Sequence, residues 1–234
     1  MVDCQFYSYS ARLARPISAI QAVIFDLDGV LMDSEWLAFQ AWRELAEQYG
    51  RILDEAVFSE LTGTTAEQTA EIVMRHTEVT FNIQDSVTWT WGRVAEQLKG
   101  EIEPLPGVRE LVGELAARNL PLAIASNSST DFINNALHGL KLLPFFSVKI
   151  GIDQVEQGKP APDVYLRAAG LMGVQAERCL VIEDSRVGVQ AAAAAKMRVV
   201  AVPGERDHVD GFHAAWRIFP SLVKVKEELE VILA

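Results

Sequence analysis

Two aspartates stand one residue apart in Phe25-Asp26-Leu27-Asp28-Gly29-Val30, directly after the short apolar run Ala22–Phe25. At the end of a buried strand, acids spaced i, i+2 place one carboxylate at the strand tip and the other on the turn above it. One can then attack phosphorus while the other handles a proton. The bland alternative is an Asp-x-Asp-Gly turn with no chemistry.

Three further segments carry groups that complement this pair. Ser126-Asn127-Ser128 follows the run Leu122–Ala125 and offers a hydroxyl and backbone N–H groups to a phosphoryl oxygen. Taken alone, it reads first as an ordinary helix N-cap region ahead of Thr130-Asp131. Gly158-Lys159-Pro160-Ala161-Pro162-Asp163 holds Lys159 on a loop stiffened by two prolines, and Pro162 suits the start of a helix. The alternative there is a solvated lysine. This is not a nucleotide phosphate loop: Gly151 and Gly158 lie too far apart, and Pro160 stands where Ser or Thr is needed. Glu183-Asp184-Ser185 sets two adjacent acids behind the run Leu180–Ile182, which costs stability unless something neutralises them. Magnesium is the usual hard cation beside phosphate. An acidic helix N-terminus favoured by the helix dipole is the alternative.

The elements that must position these groups follow from hydrophobic pattern. Strand-like runs occur at Ala22–Phe25, Leu122–Ala125, Val148–Ile152, Leu180–Ile182 and Val199–Val202. Helical periodicity separates them at Val108–Arg118, Val164–Met172 and Val187–Lys196. This alternation predicts an α/β, doubly wound, Rossmann-like parallel sheet. Residues 35–104 interrupt it with helical patterns at Trp36–Tyr49, Glu55–Leu61, Ala66–Met74 and Ser86–Leu98, and no comparable strand. They read as a small helical cap inserted after the first strand, with residues 21–34 and 105–234 forming the core. All four polar segments follow strand-like runs, so they should meet at one edge of one sheet. Together they supply a nucleophile, an acid/base, hydroxyl and amide donors, a cation and a metal pair, the parts phosphoryl transfer needs.

Composition narrows the partners. Half of the 234 residues are hydrophobic, enough for a core of ordinary size. A formal charge of -11 gives no long-range attraction for nucleic acid or an anionic membrane. No apolar run approaches the roughly 18 residues of a membrane span. Cys4 and Cys179 form neither a zinc pattern nor a disulfide framework, which fits a reducing cytoplasm. Residues 1–20 read as a flexible extension, with a transit peptide as the alternative. The scattered His76, His138, His208 and His213 read as surface or packing residues, and Trp36 as cap core. Trp89 and Trp91 cannot share one helix face, so one should pack and the other stay partly exposed.

The segments Asp26–Val30, Ser126, Lys159 in Gly-Lys-Pro-x-Pro-Asp, and Glu183-Asp184-Ser185, taken in order, resemble the haloacid dehalogenase-like hydrolase superfamily. The likeness runs from about Gln21 to about Gly204 and points to the branch of β-phosphoglucomutase and small sugar-phosphate phosphatases. It implies an aspartyl-phosphate on Asp26, and Asp28 as the acid and then the base. It implies Mg2+ held by Asp26, the Asp28 carbonyl and Asp184, with Glu183 close by. Ser126, Asn127 and Lys159 would bind the phosphoryl group. Asp28 argues for phosphate over halide, because true dehalogenases of the superfamily lack an Asp there. The expected substrate is a small phosphorylated metabolite. A phosphosugar mutase and a catalytically silent scaffold are the rival readings. Against the mutase, Ala38, Ala66 and Ser129 stand where the β-phosphoglucomutase pattern has His, Arg and Lys; Arg75 or Arg93 could replace the missing Arg.

Overall fold

In β1, Ala22–Phe25, successive side chains go to opposite sides, and all four are buried. Val23 and Phe25 join one hydrophobic core, Ala22 and Ile24 another. A strand buried on both faces belongs at the centre of a helix-covered sheet. The computed structural model describes residues 19–62, 64–204 and 211–234, and it places β1 there. Most of the expected extension, residues 1–18, lies outside the described residues, as does His208. Ile20 belongs with the core: its side chain is buried, and its N–H donates to the Leu233 carbonyl.

The other strands are β2, Leu122–Ala125; β3, Val148–Ile150; β4, Cys179–Glu183; β5, Arg198–Ala201; and β6, Arg217–Ile218. All pair in parallel, in the order β3-β2-β1-β4-β5-β6. The chain runs outward from β1 through β2 to β3, then crosses back to β4 on the other side of β1. The switch point therefore lies between β1 and β4, where open sheets of this kind bind ligands at the carboxyl ends of the strands. β3 is shorter than the pattern suggested, because Ile152–Gln154 turns into a 3-10 helix. Asp153 pulls that turn aside by accepting the Thr130 N–H at 2.7 Å.

Helices cover both faces. α5, Val108–Ala117, α6, Thr130–Gly139, α9, Leu222–Glu227, and α10, Leu229–Leu233, pack on the Val23/Phe25 side. α7, Asp163–Met172, and α8, Arg186–Ala194, pack on the Ala22/Ile24 side. Small residues on both partners, such as Ala123, Ala168 and Ala191, keep that second layer close.

Between β1 and α5 the chain forms α1, Ser34–Gln48; a 3-10 turn at Glu55–Val57; α2, Phe58–Leu61; α3, Ala66–Thr77; and α4, Ile83–Gln97. No strand occurs among its described residues. This helical insertion has its own core, with Phe39, Trp42, Leu45, Leu53 and Val73 buried together. Caps set its boundaries: Asp33 accepts the Trp36 N–H, Thr65 and Gln68 form a capping box, and Asn82 accepts the Asp85 N–H. Trp89 packs against this core while Trp91 stays 46% exposed, so the pair divides as the pattern required. Ala41, Val94 and Leu98 join the sheet-side core and fasten the insertion down.

Candidate active site

Strand register alone brings the acids together. Phe25 is level with Ile182, so Asp26 and Glu183 leave neighbouring strands side by side at the switch point. Asp26 is 7% exposed and Glu183 is fully buried. Lys159 reaches in from the loop after β3, with its side chain only 4% exposed. Its ammonium donates to Asp26 Oδ1 at 2.5 Å and to Glu183 Oε1 at 2.7 Å. Asp26, Glu183 and Asp184 each offer a carboxylate oxygen within 4.8 Å of the others.

The loops are shaped to permit this approach. Gly29 sits at φ +75°, and a Cβ there would collide with the Asp184 carboxylate. Gly188 leaves room in the same way for the carboxylate of Glu183. Asn127 clamps the lysine loop: its Oδ1 accepts the Lys159 N–H at 2.8 Å and its Nδ2 donates to the Lys159 carbonyl at 3.3 Å. The Asn127 side chain therefore holds the lysine's main chain, a role its place in the sequence did not suggest. Ser126 is buried, and its Oγ accepts the Ser128 N–H at 3.0 Å. The Ser128 hydroxyl donates to Asp28 Oδ2 at 2.9 Å. Asp28 is half-buried, and its carboxylate lies outside the group of three acids.

Sequence reasoning missed Tyr165. It is fully buried on α7; its hydroxyl donates to Glu183 Oε1 at 2.7 Å, and its ring lies 4.9 Å from the Lys159 ammonium. A tyrosine set within an apolar helix face needs a partner for its hydroxyl, and that was the available signal. Ser185 completes the surround of Glu183, donating to Oε2 through its N–H at 2.9 Å and its hydroxyl at 3.0 Å.

This surround divides the carboxylates by charge. Burial alone would raise the Glu183 carboxyl, but the charge and hydrogen bond of Lys159, with those of Ser185 and Tyr165, hold it below its usual value. Burial raises Asp26 to about 7; Lys159 opposes this, while Glu183 and Asp28 reinforce it. Burial, with the charges of Asp26 and Glu183, raises Asp184 to about 9. Lys159 stays protonated, because the two carboxylates outweigh the cost of its own burial. Among the described residues, Lys159 is the cation paired within this group of three acids, and two of the acids hold their protons too tightly. An all-oxygen donor set short of positive charge fits a hard divalent cation such as Mg2+.

A cavity opens beside Asp28. Asp28 and Ser128 line its mouth together with Ser34 and Trp91. Ser34 and Trp91 also line a second hollow, within the insertion, walled by Phe39, Trp42 and Phe58. Trp91 meets Phe132 of α6 edge-on at 6.4 Å, joining insertion to core beside the mouth.

Residues 23–202 match the haloacid dehalogenase-like hydrolase family. A phosphorylated carbohydrates phosphatase from Thermotoga maritima is 37% identical over 180 residues, covering 75% of this chain and 82% of the relative. The β-phosphoglucomutase of Bacillus subtilis is 30% identical over 190 residues, covering 78% and 83%. A solved structure of a CbbY variant from Rhodobacter sphaeroides, in complex with xylulose 1,5-bisphosphate, superposes with a TM-score of 0.66 at 27% identity, covering 88% of this chain and 96% of that one. The chain belongs to the haloacid dehalogenase-like hydrolase family, and within it to the phosphoric monoester hydrolases.

Proposed function

We propose that the chain is a Mg2+-dependent phosphatase of small phosphate monoesters, sugar phosphates and related metabolites, acting through an aspartyl-phosphate on Asp26. The observation that carries this reading is the Lys159 ammonium bridging Asp26 and Glu183 beside Asp184, with Asp28, two residues on from Asp26, lining a cavity. Asp26, Asp184 and the Asp28 carbonyl would hold Mg2+, which supplies charge neutralisation when bound. Both Glu183 oxygens already accept hydrogen bonds, so Glu183 serves chiefly to anchor Lys159.

An Asp26 oxygen attacks phosphorus, and the bond to the ester oxygen breaks. Lys159 spends two of its three N–H donors on Asp26 and Glu183, and the third can take a phosphoryl oxygen. Ser126 keeps its own hydroxyl proton to donate, with the Asn127 N–H next to it. Asp28 at the mouth protonates the leaving oxygen, then takes a proton from the water that hydrolyses the acyl phosphate. The Ser128 hydroxyl orients Asp28 for both steps.

Hydrolysis is favoured over phosphoryl exchange between two sugar positions. Two basic residues of the insertion that could grip a second phosphate are engaged elsewhere: Arg75 pairs with Glu60, and Arg93 with Glu44. The test is phosphate release from a sugar-phosphate panel, with and without a chelator, together with acid quenching of labelled substrate. Turnover only with Mg2+, and label retained on the wild-type chain, are expected. Full turnover in chelator, or no phosphate from any ester, overturns the reading.

A further inference from the structure

Among the described residues, the cavity beside Asp28 is lined by Ser34, Ser128, Ser129 and two rings, Trp91 of α4 and Phe132 of α6. With Asp28 as the acid for the ester oxygen, the organic group bonded to that oxygen must lie in this space. The rings are the large apolar surfaces it can meet there.

The end of one helix ties the acid to these rings. Ser129 caps α6, its Oγ accepting the Phe132 N–H at 3.3 Å. Just before the cap, the Ser128 hydroxyl donates to Asp28 Oδ2 at 2.9 Å. One turn further on, the Phe132 ring meets Trp91 edge-on at 6.4 Å, with 75° between the ring planes. The start of α6 therefore holds Asp28 with one residue and braces Trp91 with another, which fixes the spacing between the acid and the indole.

Trp91 is also placed to be covered. It stays 46% exposed, although Thr90 beside it and Val94 one turn on are buried. It lines the hollow within the insertion as well as the cavity beside Asp28. An indole left open where two hollows meet is stabilised when an organic group lies against it. From this placement, and resting on the phosphatase reading above, we infer that Trp91 is a specificity-determining residue: braced by Phe132, its ring contacts the part of the ester beyond the oxygen that Asp28 serves, and favours leaving groups large enough to reach it. Phe132 is a positioning residue, acting through the indole.

Esters of graded size test the inference: ethyl phosphate, glycerol 3-phosphate and glucose 6-phosphate. In Trp91→Ala, kcat/KM relative to wild type is expected to fall about tenfold further for glucose 6-phosphate than for ethyl phosphate, with glycerol 3-phosphate between them, the scale of a lost aromatic contact. The excess loss is expected mostly in KM, because the contact is made before and during the chemical step alike. Comparing esters within one variant cancels any loss of folded protein. Trp91→Phe keeps a ring and is expected to recover part of the discrimination. Phe132→Ala is expected to show the same graded pattern, and the double variant to discriminate no less than Trp91→Ala alone, because the brace acts only through the indole. An equal fall for all three esters in Trp91→Ala, as a ring that merely docks the insertion on the core would give, overturns the inference and leaves the phosphatase reading standing. So do additive losses of discrimination in the double variant. Absence of phosphate release from every ester by the wild-type chain, p-nitrophenyl phosphate included, overturns both.

Discussion

Asp26→Asn is expected to abolish turnover and, in metal-free protein, to stabilise the fold at alkaline pH. The first effect is chemical: an amide is a poor nucleophile and a poor ligand for a hard cation. The second comes from burial. The Asp26 carboxyl is raised from 3.8 to about 7 by its removal from water, despite the neighbouring Lys159. Below pH 3.8 the carboxyl is protonated in both folded and unfolded chains and contributes nothing. Between 3.8 and about 7 the unfolded chain gives up its proton while the folded chain keeps it, so stability falls as pH rises. Above about 7 the cost is complete. At about 1.4 kcal/mol per pKa unit, it amounts to on the order of 4 kcal/mol. Asp184 and Glu183 share the same charge field, so a gain of roughly 2–4 kcal/mol is expected from the substitution. Urea unfolding in chelator measures it: wild type and variant should nearly coincide near pH 4, and the variant should be the more stable at about pH 8.5. An equal gain at both pH values, or a loss at the higher one, refutes this account of the buried carboxylate. Substantial residual phosphate release removes Asp26 from the nucleophile's role.

Mg2+ is expected to raise the melting temperature more at about pH 9 than at about pH 6, because binding must displace protons held by Asp26 and Asp184. Equal shifts at the two pH values would count against those carboxylates as ligands. Tyr165→Phe removes the O–H donated to Glu183 while keeping the ring beside Lys159, and should cost about 1–3 kcal/mol of stability. It should also lower kcat with little change in KM; unchanged kcat and unchanged urea midpoint would leave the hydroxyl without a positioning role.

The sheet was legible because its central strands are fully buried. A strand covered on both faces must be an unbroken apolar run, and Ala22–Phe25, Leu122–Ala125 and Leu180–Ile182 are such runs between polar segments. β6 gave no such signal: it has only two residues, and neither is buried. The C-terminal helices α9 and α10 also went unread, being too short for a clear period. Helix α4 begins earlier than its apolar period, because Asn82 caps it and cap geometry sets the start.

The site was legible for a different reason, and only in part. Register places Asp26 and Glu183 side by side once the strands are known, and chain order brings the Ser126 and Lys159 segments to the same edge. Pattern could not give the contacts that lock the segments to one another. Asn127 looked like a phosphate ligand, yet both polar atoms of its side chain bind the main chain of Lys159. Ser128 looked like part of a helix cap, yet it holds Asp28. Gly29 looked like a turn residue, and its missing Cβ is what admits Asp184. In each case a residue of one segment serves a candidate site residue of another, so its role depends on neighbours far away in sequence. The same coupling separates this site from four unrelated turns. An acid-rich turn or a solvated lysine needs nothing from the next strand, whereas here the second segment grips the first and third, and the first leaves space for the fourth.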